Sequence, residues 1–139
     1  MEAALIARLV GAAAVNAIVA KDVAGDEAIS WFGRQPKDEL PALTLTLVSP
    51  GREWTHSGPD NLDRPRVQID CWADTSTEAA ALALAVRAEM EQARDQSGVR
   101  FHPAMLAGAQ WADEEELDGG ARIFRISQDW LFYYEEILT

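Results

Sequence analysis

Residues 65–90 read Pro65-Arg-Val-Gln-Ile-Asp-Cys-Trp-Ala-Asp-Thr-Ser-Thr-Glu-Ala-Ala-Ala-Leu-Ala-Leu-Ala-Val-Arg-Ala-Glu-Met90. Val67, Ile69 and Cys71 alternate with Arg66, Gln68 and Asp70. That period of two predicts a strand with one buried face. The alternation stops at Asp74. Thr75 and Glu78 then stand at capping-box spacing, where the Thr hydroxyl can accept from the Glu78 amide. Ala79, Leu82, Ala83, Val86, Met90 and Ala93 recur at helical spacing, which predicts an amphipathic helix behind the cap. Gln96, Ser97 and Gly98 read as the end of that helix. A strand, a sharp cap and a helix make a unit on which the rest of a domain can pack.

On the N-terminal side, Glu2 to Ala20 reads as helix, with Ile6, Leu9, Val10, Ala13 and Ala17 on one stripe and Gly11 as a point of kinking or division. Glu2 stands where a signal peptide carries basic residues, and Arg8 and Asn16 interrupt the apolar run, so the segment reads as structure and not as a leader. Ala28 to Phe32 predicts a short strand. Pro41 opens a longer one in which Leu43, Leu45 and Leu47 alternate with Thr44, Thr46 and Val48. Residues 49–64 hold Pro50, Gly51, Gly58, Pro59 and a lone Trp54, and read as an extended loop or a hairpin extension. Trp54 there is either a cover for the core edge or an anchor for a partner.

On the C-terminal side, Val99 to Trp111 reads as an irregular strand disturbed by Pro103 and Gly108. Asp113, Glu114, Glu115, Glu116 and Asp118 read as an acidic turn ending in Gly119-Gly120. A long strand follows, with Phe124, Ile126, Trp130, Phe132 and Tyr134 on one face and Gln128 as the exception. Leu131 and Tyr133 make its end apolar on both faces, the pattern of a covered strand or of an interface. Strands in consecutive runs with two separate helices predict an α+β fold: an antiparallel sheet of four to five strands with two main helices packed on it, in one domain over residues 1–139.

Composition narrows the function. At 139 residues with 48% hydrophobic and 25% charged residues, the chain has the balance of a globular domain, and no apolar run reaches the ~20 residues of a membrane span. The net charge of −11 argues against binding nucleic acid through phosphate neutralisation, but suits a wall past which nucleic acid slides. The single cysteine, Cys71, rules out an internal disulfide framework and reads as a small buried hydrophobe.

No catalytic, cofactor or metal motif is present. The two histidines, His56 and His102, lack ligand spacing, and there is no phosphate loop or nucleophile elbow. Two features suggest assembly instead. The central helix carries Leu84 with Ala80, Ala81, Ala85 and Ala88 off its main stripe, so its second face is small and apolar. The end of the last strand repeats the suggestion through Leu131 and Tyr133.

Gly58-Pro59, Arg64 to Ala73 and the Ala-rich helix with Ala83-Leu-Ala-Val-Arg87 resemble the tail completion proteins of long-tailed bacteriophages, also called tail terminator or tail-to-head joining proteins. The opening helix, the Trp31 region, the Leu40-Pro41 strand start and Arg125-Ile-Ser-Gln-Asp-Trp-Leu-Phe132 are similar as well, so the resemblance runs along nearly the whole chain. It implies an α+β subunit of a hexameric ring at the head-proximal end of the virion tail. Such a ring stops growth of the tail tube and contacts the tube protein and the head-completion or connector protein. DNA passes through its lumen, with no catalysis, cofactor or membrane involved. On that reading Trp54, Leu84, Leu131 and Tyr133 are candidates for subunit or partner interfaces, and Asp113, Glu114, Glu115 and Glu116 for an acidic turn facing the lumen. The competing expectations are a head-closure or tube protein of the same apparatus, and a small-molecule binding domain or enzyme using His56, His102 and the carboxylates.

Overall fold

The computed structural model describes residues 2–21, 28–31, 40–49, 54–55, 58–59, 65–107, 110–116 and 122–136. Helix α1 spans Glu2–Gly11 and α2 spans Ala13–Asn16. The division falls at Ala12, whose backbone is extended. Asn16 bridges the break by donating from Nδ2 to the Val10 carbonyl at 3.0 Å. The predicted N-terminal helix is therefore two helices, parted just behind Gly11.

The main sheet holds β1 (Ile29–Trp31), β2 (Ala42–Ser49), β5 (Arg66–Ala73), β8 (Met105–Leu106), β9 (Trp111–Glu116) and β10 (Arg122–Leu131). Its order is β1-β2-β5-β10-β8, with β9 also pairing β10. Every pairing is antiparallel except β1 with β2. The short elements β3 (Trp54–Thr55) and β4 (Gly58–Pro59) pair as a separate ribbon, so the segment between β2 and β5 contains a hairpin.

Strand register explains the core. Leu43, Leu45 and Leu47 sit opposite Cys71, Ile69 and Val67, which in turn oppose Ile126, Gln128 and Trp130. All share the face against which helix α3 (Ser76–Met90) packs, through Leu82, Ala83, Val86 and Met90. Leu5 and Leu9 of α1 complete the cluster. Burying a side chain of this size contributes about 1.5–3 kcal/mol. Gln128, the polar exception in that row, is fully buried yet satisfied. It donates to the Ala83 carbonyl at 3.0 Å and accepts from Trp130 Nε1 at 3.1 Å. A bulge between Leu47 and Ser49 leaves Val48 exposed. The α+β class and the helix-backed sheet agree with the sequence reading, and β1 adds a parallel edge.

The cap at Thr75 forms as the spacing predicts: Thr75 Oγ1 accepts from the Glu78 amide at 3.2 Å. Three other expectations need correction. The helix ends at Met90, and Gln96-Ser97-Gly98 is not its cap. Strands β6 (Arg94–Gln96) and β7 (Val99–Phe101) form a hairpin there, and Ser97 and Gly98, both at positive φ, make its turn. Positive φ at both central residues is the mark of a type I′ turn, whose twist matches the flanking strands.

The second correction concerns Asp113, Glu114, Glu115 and Glu116. They are not a turn but the body of β9, aligned with Arg125, Phe124, Ile123 and Arg122. Pairing with β10 overrides their weak strand propensity. Asp118 to Gly120 lie outside the described residues.

The third concerns the last strand, which does not run on through Tyr134. It leaves the main sheet after Leu131. The Phe132 amide donates to Pro65 O, the Tyr133 carbonyl accepts from the His102 amide, and β11 (Tyr134–Glu136) joins β7 in a three-stranded sheet with β6. Phe101, Phe132 and Tyr134 fill the corner, with ring centroids 5.9–6.4 Å apart. Tilted pairs at that spacing add to simple burial.

Candidate assembly surface

Helices α1 and α2 lie beside the C-terminal half of α3 and strand β6, and a groove of about 230 Å³ runs between them. Its walls are small: Gly11, Ala12, Ala13 and Ala14 on one side, Ala85 and Ala88 on the other. Its charged end is built from Arg8, Glu89 and Arg94. Clefts that hold small molecules generally enclose about 300–1,000 Å³ and are lined by larger apolar groups. This groove is narrower than that and suits side chains.

Arg8 has a side chain fully shielded from solvent. Its Nε donates to Glu89 Oε1 at 3.0 Å, and its Nη2 donates to the carbonyls of Glu89 and Gln92. It therefore satisfies two carbonyls at the C-terminal end of α3, where a cation is also favoured by the helix dipole. The guanidinium lies 5.2 Å from the centre of the Phe101 ring. Arg94 approaches Glu89 from the other side, donating from Nε and Nη2 to the two carboxylate oxygens at 2.9 Å each.

Burial pulls Arg8 below its ordinary value, against the opposing hydrogen bond and charge of Glu89. Burial pushes Glu89 up, but the hydrogen bonds and charges of Arg94 and Arg8 outweigh it, and its carboxyl is held below the usual carboxylate range. The hydrogen bond to Glu89 holds Arg94 above its ordinary value. Among the described residues Arg8 Nη1 is buried with no hydrogen-bond partner.

The sheet face turned away from α3 carries a polar network. Ser127 Oγ and Gln68 Nε2 donate to Asp70, Trp72 Nε1 donates to Thr44 Oγ1 at 2.9 Å, and Arg66 Nη2 meets Asp129 Oδ2 at 2.8 Å. Thr44, Asp70 and Ser127 are buried nonetheless.

The residues singled out from sequence fall in different places. Leu84 projects from α3 with 69% of its surface exposed, so the helix does present an apolar residue on its outer side. Ala85, assigned to the same second face, is buried beside α2 of its own chain. Leu131 ends β10, half-buried and aligned with Met105, which is 56% exposed. Tyr133 is half-buried in the corner between the sheets. Trp54 belongs to β3, and its side chain lies outside the described residues, as does His56. His102 directly follows β7, with its Nε2 3.6 Å from Glu135 Oε1.

Sequence reasoning missed the Arg8–Glu89–Arg94 cluster. Its signal was present: Arg8 and Glu89 each interrupt an apolar helical stripe, next to Leu5 and Leu9 in one helix and Val86 and Met90 in the other. Opposite charges at core-facing positions of two helices invite pairing.

A family model, described as tail completion protein gp17, matches residues 3–135. No curated protein matches the sequence. Among solved structures, a chain described as belonging to the virion of a native gene transfer agent particle is similar in fold, with a TM-score of 0.62 and 17% identity over 97% of this chain and 94% of that one. A second solved chain is similar at a TM-score of 0.51 and 15% identity, over 94% of this chain and 92% of its own length.

Proposed function

Since the chain belongs to the tail completion protein gp17 family and is a structural protein of a phage-type tail, we propose that it acts as a tail terminator, a hexameric ring that caps the head-proximal end of the tail tube. The ring stops tube growth and joins the tail to the head connector, and DNA passes through its lumen. The carrying observation is the family match along residues 3–135, which leaves only the extreme ends of the chain outside it. The physical features are compatible. A net charge of −11 repels phosphates, as a passage for DNA requires. Leu84 on the outer side of α3 and Met105 beside Leu131 are exposed apolar groups of the kind a subunit or partner contact covers. A closed ring needs two different patches that meet between neighbours, and these lie on different elements.

Two measurements test the proposal. The native mass of the purified protein, taken over a range of concentrations, should include a discrete hexamer. Added to purified tail tubes, the protein should decorate one end only and should not polymerise. Open-ended polymerisation would identify a tube component instead. A protein that stays monomeric and leaves tube ends bare would refute the ring.

A further inference from the structure

Among the described residues the most exposed large apolar side chains are Leu84, on the outer side of α3, and Met105, in β8. They stand on opposite sides of the sheet. Val67 and Trp130 face α3, so Arg66 and Leu131, their neighbours along β5 and β10, face the other way. Met105 is aligned with Leu131, and Leu131 with Arg66. Met105, Leu131 and Arg66 therefore form one row across β8, β10 and β5 on the back of the sheet. Val48, also exposed, sits at the bulge where β2 meets Arg66 and extends the apolar character of that end.

The outer side of α3 carries a matching row. Leu84, Ala88 and Glu91 are exposed and stand at i, i+4 and i+7, on one side of the helix. From Leu84 to Glu91 the helix rises about 10.5 Å. From Met105 to Arg66 the sheet row crosses two strand separations, about 9.6 Å. With α3 laid across the strands, Leu84 meets Met105, the small Ala88 meets Leu131, and Glu91 meets Arg66. The charges then alternate. Arg87 pairs with Glu91 at 2.7 Å within the helix, and Arg66 pairs with Asp129 at 2.8 Å within the sheet. Glu91 and Arg66 each leave about half of the side chain in solvent, so each can take the other while keeping its present partner. The reverse direction would set Glu91 on Met105, a carboxylate against an apolar group, and is disfavoured.

We propose that the outer side of α3 in one copy of this chain packs across the back of the sheet in the next, with Leu84 on Met105, Ala88 on Leu131 and Glu91 on Arg66. The occupant is a second copy because one chain carries both rows, equal in spacing, apolar at one end and opposite in charge at the other. Different surfaces meet, so the contact is heterologous and repeats from copy to copy, as a ring requires. The inference rests on the ring reading above and gives it a specific interface.

Crosslinking tests the contact on the full chain. Leu84→Cys and Met105→Cys change exposed positions, and the native Cys71 is fully buried and does not compete. The sheet separates the two positions within one chain, so a short bis-maleimide can join them only between copies. Under conditions where the unaltered chain assembles, alone or on tail-tube ends, the double variant should give a ladder of covalent oligomers and each single variant none. Linking by Leu84→Cys alone would set α3 against α3 and overturn the contact, as would an assembled double variant that gives no ladder. Charge exchange supplies a second readout. Arg66→Glu and Glu91→Arg should each weaken association on the order of tenfold, the scale of turning a close attraction into a repulsion. The two together should restore it, an outcome that misfolding cannot produce. Undiminished assembly of either single variant overturns the pairing and leaves the ring standing. An unaltered chain that assembles neither alone nor on tubes removes both.

Discussion

Arg8 Nε donates to Glu89 Oε1 at 3.0 Å across 81 positions of sequence, and the same guanidinium holds the carbonyls of Glu89 and Gln92. The first helix thereby caps the helix that ends the central strand-helix unit. Removing one member of a buried pair costs more than the pair contributes, because the other group is left unsatisfied. Arg8→Met should therefore destabilise the fold by about 3 kcal/mol, the lower end of the usual range because Glu89 keeps Arg94. Arg8→Lys should recover less than half of that, since an ammonium cannot reproduce the planar fork. Urea denaturation of the three proteins provides the comparison.

Acidification should act through Glu89. Its carboxyl is held below the usual carboxylate range, so the folded state binds a proton less readily than the unfolded state. The associated stability is fully present above the ordinary carboxylate value of about 4.3, and it is lost as pH falls toward and through the lower folded value. Glu89→Gln should be less stable than the unaltered chain at neutral pH. The gap should narrow steadily in acid, and a gap constant with pH would show that Glu89 is not the titrating group.

The hairpin turn offers a stabilising substitution. Ser97 holds φ at 51°, where a side chain is disfavoured and glycine or asparagine is at ease. Ser97→Gly should raise stability by about 0.5–1 kcal/mol in thermal or urea unfolding, with no change in assembly.

Leu84 separates folding from assembly. With 69% of its surface exposed it contributes little to the monomer, and Leu84→Asp should shift monomer stability by no more than about 0.5 kcal/mol. If the outer side of α3 faces a neighbour in the ring, the same variant should remain monomeric where the unaltered chain assembles. A ring of unchanged mass would take Leu84 out of the interface.

The parts legible from sequence are those where local pattern and tertiary role agree. Val67, Ile69 and Cys71 alternate because one face of β5 is buried, and Thr75 with Glu78 forms the cap that the spacing announces. The errors arise where two structures share one local signal. Ser97-Gly98 is a pair of turn formers, which suits a helix stop as well as a hairpin, and Arg94-Asp95-Gln96 has no apolar alternation to reveal β6. Asp113 to Glu116 lack strand propensity and become strand only because β10 lies alongside. The groove was illegible for a further reason: its charged residues come from α1, α3 and β6, and only folding brings them to one place.

Strand β10 lies between β5 on one side and β8 and β9 on the other, yet it is among the last parts of the sequence to be made. During synthesis β5 must wait with one edge bare until β10 has been made, and the contacts that close the sheet span 51 positions (Phe124 to Ala73) to 65 positions (Leu131 to Arg66). Such non-local closure is slow and exposes the nascent chain to wrong partners. The main sheet is thus completed only once β10 has joined β5, β8 and β9. A product that stops short of β10 lacks the strand that β5, β8 and β9 all pair with, so it cannot complete the main sheet.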